Sequence, residues 1–180
     1  MKKIILFAAI VLMAGFSTTA MAVGTAATVA ATAAGAKLIV PMTLTQTSPL
    51  HFGTINLLLK AGGTVKLPSN SVVRVISSGL AASTIAPVAT NAAYNVTGTM
   101  NVTYALTLPA TVVVTETLGD AVMTISTMTA RFNGAASDAV VSTLSATGTD
   151  NFTVGGTLTV TPAQIGGIYA GTFPVTVDYN

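Results

Sequence analysis

Apolar and polar residues alternate with a period of two along most of the chain, and the longest alternation is the last. Its apolar or small members occupy odd positions, with smaller or polar residues between them: Gly167, Tyr169, Gly171, Phe173, Val175, Val177 and Tyr179. Such alternation predicts a β-strand with one buried face. We therefore expect the closing strand to lie at a sheet edge, where its unpaired backbone groups offer a template for another chain.

The same period recurs upstream, over residues 38–44, 100–108 and 152–160. Gly, Pro, Asn and Asp separate these short segments, and no stretch after residue 36 has a helical period. Many short alternating strands bounded by turn residues predict an all-β protein with an antiparallel, immunoglobulin-like β-sandwich. A barrel is the alternative fold. We expect one domain over residues 37–180.

The first 22 residues have the three regions of a secretory signal peptide. Lysines at positions 2 and 3 precede an apolar run over residues 4–16 and the small-residue site Ala20-Met-Ala22, which predicts cleavage after Ala22. A retained anchor is the alternative, but an apolar run of about 13 residues is shorter than the roughly 20 that span a bilayer. We therefore predict export to the periplasm, cell surface or medium of a bacterium, without a membrane span after cleavage.

Residues 23–36, VGTAATVAATAAGA, contain only Val, Gly, Thr and Ala. Such a low-complexity segment has almost nothing large to bury, and alone it should be disordered. Because Thr and Val favour β-structure, the segment is also able to form a strand in a groove. It is therefore either a disordered spacer or an extension that adds a strand to a neighbour's sheet by β-augmentation.

Charge is scarce and becomes balanced when the leader is removed. The 180-residue chain is 7% charged, with seven Lys plus Arg and five Asp plus Glu. Two lysines leave with the leader, and five cations then face five anions: Lys37, Lys60, Lys66, Arg74 and Arg131 against Glu116, Asp120, Asp138, Asp150 and Asp178. No basic cluster is present to follow a phosphate backbone, so we predict no nucleic-acid partner. A net charge near zero favours association.

The sequence offers few residues for catalysis or metal binding. It has no cysteine, which excludes disulfides, thiol catalysis and Cys-ligated metals. His51 is the only histidine and Glu116 stands alone among Thr and Val, so neither belongs to a pattern for acid–base catalysis. The aspartates lack the spacing of a calcium loop, and no Gly-x-Ser-x-Gly elbow occurs. We therefore predict no enzyme, catalytic residue, cofactor or metal.

Specific stretches of the chain resemble two known groups of bacterial proteins. The closing strand, from Gly167 to the penultimate Tyr179, resembles the C-terminal β-zipper of chaperone–usher pilins. Roughly residues 38–180 resemble the bacterial domain-of-unknown-function family 4402, whose exported proteins are cysteine-free and rich in Thr and Gly. The family's leucine-x-phenylalanine-glycine segment corresponds to Leu50-His-Phe-Gly53, and its glycine-x-tyrosine-x-glycine segment to Gly167-Ile-Tyr-Ala-Gly171.

The pilin resemblance implies a pilin-like sandwich that lacks one strand. It implies that a periplasmic chaperone fills the resulting groove first, and that the next subunit's N-terminal extension fills it afterwards. The chain departs from pilins in having no disulfide and in Pro174, which an edge strand tolerates. We predict a non-enzymatic structural protein of the bacterial cell surface, a fimbrial or pilus-type subunit that assembles through its edge strands. The alternative is a self-contained secreted or surface sandwich acting as an adhesive or ligand-binding module.

Overall fold

The computed structural model describes residues 33–58 and 61–180, and all regular structure within these ranges is β-strand. The predicted leader and residues 23–32 of the extension lie outside the described residues. Residues 33–37 form no regular structure. The strands are β1 Thr43–Ser48, β2 His51–Phe52, β3 Ile55–Leu57, β4 Gly63–Leu67, β5 Val75–Ile76, β6 Leu80–Ala82, β7 Ala89–Thr90, β8 Ala92–Thr97, β9 Thr103–Thr107, β10 Thr111–Glu116, β11 Val122–Phe132, β12 Val141–Thr143, β13 Thr149–Val160, β14 Tyr169–Ala170 and β15 Thr176–Tyr179.

Two sheets carry most of the fold. The larger sheet has the order β1-β8-β13-β11-β10-β14, and β4 joins it by pairing with β13 and with β5. The smaller sheet has the order β12-β9-β15, and β2-β7 and β3-β6 form two short pairs. All of these pairings are antiparallel. The predicted all-β class and antiparallel pairing are confirmed. No helix within the described ranges is long and apolar enough to cross a membrane.

Two apolar clusters form the core, one over each half of β13. The first contains Tyr104, Phe132 and Phe152 and packs the smaller sheet onto the larger one. The second is formed by the following buried side chains: Phe52, Val65, Leu67, Leu80, Val112, Ile125, Leu158 and Val160. No strand of the smaller sheet contributes to the second cluster. The short strands β2 and β6 cover it in part, and an opening remains.

Strand β13 changes partner at Gly155. Its first half pairs with β8 through Val154, and its second half pairs with β4 from Gly156 onward. A Cβ atom at Gly155 would collide with the backbone carbonyl of Leu67 and lie 2.6 Å from the backbone nitrogen of Ser69. Only glycine lets the incoming backbone approach so closely. This glycine therefore allows one strand to serve both core clusters.

Side-chain hydrogen bonds connect the smaller sheet to the larger one. The hydroxyl of the fully buried Tyr104 donates to Oδ2 of Asp150 at 2.9 Å, and Ser142 Oγ donates to the same oxygen at 2.6 Å. Burial and the adjacent Asp150 raise the pKa of Tyr104, which stays a neutral donor. Burial opposes ionisation of Asp138, but hydrogen bonds from Ser69 and Arg131 outweigh it and lower the pKa of that carboxyl.

Two predicted strands differ in the structure. Residues 38–42 form no strand, although their alternation predicted one, because Pro41 has no N–H to donate and no ladder partner lies beside it. The closing strand is divided: β14 pairs with β10 in the larger sheet, and β15 pairs with β9 in the smaller one. Pro174 lies where the chain crosses between the sheets. The alternation persists, since Phe173 and Val175 are half-buried between exposed neighbours.

Candidate functional site

An apolar groove of about 540 Å³ opens over the second core cluster. Its floor is formed by side chains of β10, β11 and β13: Val112, Val114, Met123, Ile125, Leu158 and Val160. Residues 50–57 supply most of one wall, and residues 164–171 with Phe173 supply the opposite wall. We call this site the apolar groove. Its volume lies within the roughly 300–1,000 Å³ of protein sites that bind ligands.

The segment Leu50-His-Phe-Gly53 forms the corner of the first wall. Phe52 is buried in the second core cluster, and Nδ1 of His51 accepts a hydrogen bond from the N–H of Gly53 at 2.8 Å. Gly53 has a φ of +73°, and a Cβ atom there would lie 2.9 Å from the backbone nitrogen of Ala89. Glycine is therefore required at this turn, which directs the wall along the groove.

Arg74 holds the first wall in place through three backbone carbonyls. Its Nη1 donates to the carbonyl oxygens of Phe52 at 2.9 Å and Thr54 at 2.8 Å, and its Nη2 donates to that of Ser83 at 3.2 Å. Within the described residues, the only side-chain ion pair is the one between Arg131 and Asp138, so Arg74 acts here through carbonyls. Sequence reasoning missed this role, because a single arginine among valines gives no pattern.

The segment Gly167-Ile-Tyr-Ala-Gly171 forms the second wall and rests on β10. Gly167 packs against the Glu116 side chain, and a Cβ atom at Gly171 would lie 2.6 Å from the carbonyl oxygen of Val113. The Tyr169 hydroxyl donates to the Ile165 carbonyl at 2.7 Å and accepts from Gln164 Nε2 at 2.8 Å. The two segments that carried the family resemblance therefore face each other across one groove.

The backbone of the second wall has unpaired groups beside the groove. The ladder of β14 ends at Ala170 and that of β15 begins at Thr176. Between them, residues 171–175 make no backbone hydrogen bond to another backbone group of the described chain. An extended segment with free N–H and C=O groups next to an apolar floor can accept an added strand.

The structure divides the predicted assembly strand between two places. Four of its residues line the groove: Gly167, Tyr169, Gly171 and Phe173. Val175, Val177 and Tyr179 pack instead against the first core cluster, and Phe173 contacts both clusters. Phe173 thus lies at the end of the groove nearer the first cluster.

Tyr179 has a role that the alternation did not reveal. Its hydroxyl donates to the carbonyl oxygen of Val40 at 2.6 Å and accepts the N–H of Thr99 at 2.6 Å. The N–H of Val40 also donates to Thr99 Oγ1 at 2.6 Å. The penultimate tyrosine therefore fixes the point at which the N-terminal segment leaves the sandwich.

The chemistry of the groove is apolar. No Asp, Glu, Lys or Arg side chain is among the described residues that line it, and His51 and Gln164 are its main polar side chains. Within residues 33–58 and 61–180, no group of three or more His, Asp or Glu side chains is placed to hold a metal ion. What the arrangement offers is shape and apolar contact for an uncharged, extended or apolar occupant.

Comparison with known proteins agrees with the resemblance seen in the sequence. No curated protein and no solved structure matches the chain. A family model described as a domain of unknown function, DUF4402, matches residues 42–179. This range includes both segments that line the groove and all of the strands, and the chain belongs to the DUF4402 family.

Proposed function

We propose that the protein is an exported structural subunit of the bacterial cell surface whose copies assemble by strand donation. Residues 23–36 of one copy enter the apolar groove of the next. The groove carries this proposal, because it leaves the second core cluster open beside the unpaired backbone of residues 171–175. A donated strand gains main-chain hydrogen bonds there and covers apolar surface.

The composition of the donor suits this groove. Residues 23–36 contain no charged residue and no side chain larger than Val or Thr. The described lining of the groove is also uncharged, so insertion desolvates no ion of the donor or of that described lining. A segment that lacks large side chains cannot form a core of its own and is therefore free to pair with another copy.

The distance between the two ends of β13 favours donation to a neighbour. Thr149 begins β13 and lies in register with Thr97, which pairs with Thr43; Val160 ends it and lines the groove. Twelve residues of strand span about 40 Å. Residues 23–39 extend to at most about 58 Å, so folding back would leave only about five residues for the chain's own groove.

Donation to the next copy is a heterologous, head-to-tail contact, because the groove and the extension are different surfaces. Contacts of this kind continue into a fibre unless a rotation closes them into a ring. We propose a fimbrial or pilus-type filament as the assembled form, with a periplasmic chaperone as the occupant of the groove before assembly.

A ligand-binding or adhesive module is the second candidate, and the size of the groove favours it. A volume of about 540 Å³ with an apolar lining also suits a small apolar molecule. Such a protein would be monomeric, and its groove would bind an apolar fluorescent dye without competition from a peptide of residues 23–36.

An arginine placed in the groove tests strand donation directly. Val114 is half-buried and lies on the floor of the groove, so Val114→Arg should insert a cation into the path of the donated strand. We expect at least about a tenfold weaker assembly, because burying an unpaired charge costs more than the roughly 1.4 kcal/mol of a tenfold change. Sedimentation of the mature protein measures it.

Val113→Arg is the matched control, since Val113 is the neighbouring residue on β10, is 56% exposed and does not line the groove. It should assemble as the unmodified protein does. Equal assembly of the two arginine variants, both folded by circular dichroism, would contradict strand donation into this groove.

Export has its own test. Because the leader should be cleaved after Ala22, we expect N-terminal sequencing of the cell-envelope or extracellular protein to begin at Val23. Mature protein that retains residues 1–22 would be inconsistent with this proposal.

A further inference from the structure

The base of the extension is apolar, exposed and fixed in position. Leu38, Ile39 and Val40 are 86%, 56% and 59% exposed. The Tyr179 hydroxyl donates to the Val40 carbonyl and the Val40 N–H donates to Thr99 Oγ1, so two hydrogen bonds hold the backbone of Val40. Three consecutive large apolar side chains held in solvent are unusual for a surface that contacts only water, and they indicate an interface.

The mouth of the groove carries a second exposed apolar pair. Ile165 and Ile168 line the groove and are 65% and 72% exposed. They lie beyond Val160, at the opposite end of β13 from the base of the extension. The two ends of the sandwich therefore both present apolar side chains.

The geometry of insertion brings these two surfaces together. Phe173 lies at the end of the groove nearer the first core cluster, and Ile165 and Ile168 lie at the other end. The end of the donated strand that leads back to its own sandwich therefore leaves the groove beside Ile165 and Ile168. Residues 38–40 directly follow the donor segment, and Val40 is tied to its own sandwich. Insertion of the donor up to residue 36 thus places the base of one copy against the mouth of the next.

We infer that a second copy of this chain covers the exposed base: Leu38 and Ile39 of one copy dock on Ile165 and Ile168 of the next. This inference rests on the proposed strand donation. The junction between subunits is then a packed apolar contact, with no free linker between the donated strand and the tie at Val40.

A charge pair across the junction tests this contact in the full mature chain. Ile39→Glu and Ile168→Lys each place a charge in the apolar contact, and each should raise the critical concentration for assembly about tenfold. The double variant pairs the charges between neighbouring copies and should return to within about threefold of the unmodified protein. Val75→Glu, on the exposed edge strand β5, is the control and should change nothing.

Competition by a peptide of residues 23–36 distinguishes a failure of the docking contact from a failure of strand donation. The peptide lacks the base residues, so it should inhibit assembly of all variants at similar concentrations. If it does so while both single variants assemble normally, or while the double variant is no better than either single variant, the docking contact is overturned and strand donation stands. If the peptide does not inhibit even the unmodified protein, strand donation fails and the junction fails with it.

Discussion

Removing residues 23–36 is expected to abolish assembly while leaving residues 38–180 folded. The deleted segment contributes to neither core cluster among the described residues, so the stability of the sandwich should not depend on it. Assembly should be lost completely, because the groove of each copy would find no donor. Size-exclusion chromatography and electron microscopy of the intact and shortened mature proteins measure both effects.

A 14-residue Gly/Ser segment in place of residues 23–36 is the control for length. It preserves the spacing but has little β-propensity, so it too should give monomers. A free peptide of residues 23–40 should bind both variants and yield capped monomers. The proposal would be defeated by an intact protein that is monomeric and stable and whose behaviour does not change upon deletion.

Phe152→Ala should produce the largest loss of folding stability. Phe152 is 1% exposed, and its ring lies 5.1 Å from that of Tyr94 and 5.5 Å from that of Phe132. Truncating a buried phenylalanine leaves a cavity that costs about 3–5 kcal/mol. Urea unfolding followed by circular dichroism measures this change in the free energy of unfolding.

Val113→Ala is the control for this prediction. Val113 lies on β10 but is 56% exposed, so its truncation should change the free energy of unfolding by no more than about 0.5 kcal/mol. Equal losses in the two variants would mean that the first core cluster does not carry the stability assigned to it.

The period-two pattern was sufficient to predict the fold class but not the assignment of strands to sheets. Alternation marks which side chains face the core, as it does for Phe173, Val175 and Val177. It does not mark the partner strand, which is why one predicted closing strand proved to be two strands in different sheets. Long-range pairing depends on contacts distant in sequence, such as that of Gly155 with Leu67.

The groove was predictable only in part, for a related reason. The resemblance pointed to a missing strand and to the two segments that now form its walls. That these segments face each other over Leu158 and Val160 is a property of the tertiary structure. The tie between Tyr179 and Val40 spans 139 positions of sequence, and an isolated tyrosine near the end of a chain does not indicate it.

The scarcity of ion pairs among the described residues bears on how the fold responds to salt. Arg131 and Asp138 form the only side-chain salt bridge within the described residues, and such partly exposed pairs contribute at most about 1 kcal/mol. Added salt therefore has little other electrostatic attraction between described side chains to screen. Sulfate and phosphate instead strengthen the burial of apolar surface. With no thiol in the chain, oxidants and reductants have no disulfide to make or break. We therefore expect ionic strength and thiol–disulfide conditions to have little effect on the free energy of unfolding of the described fold.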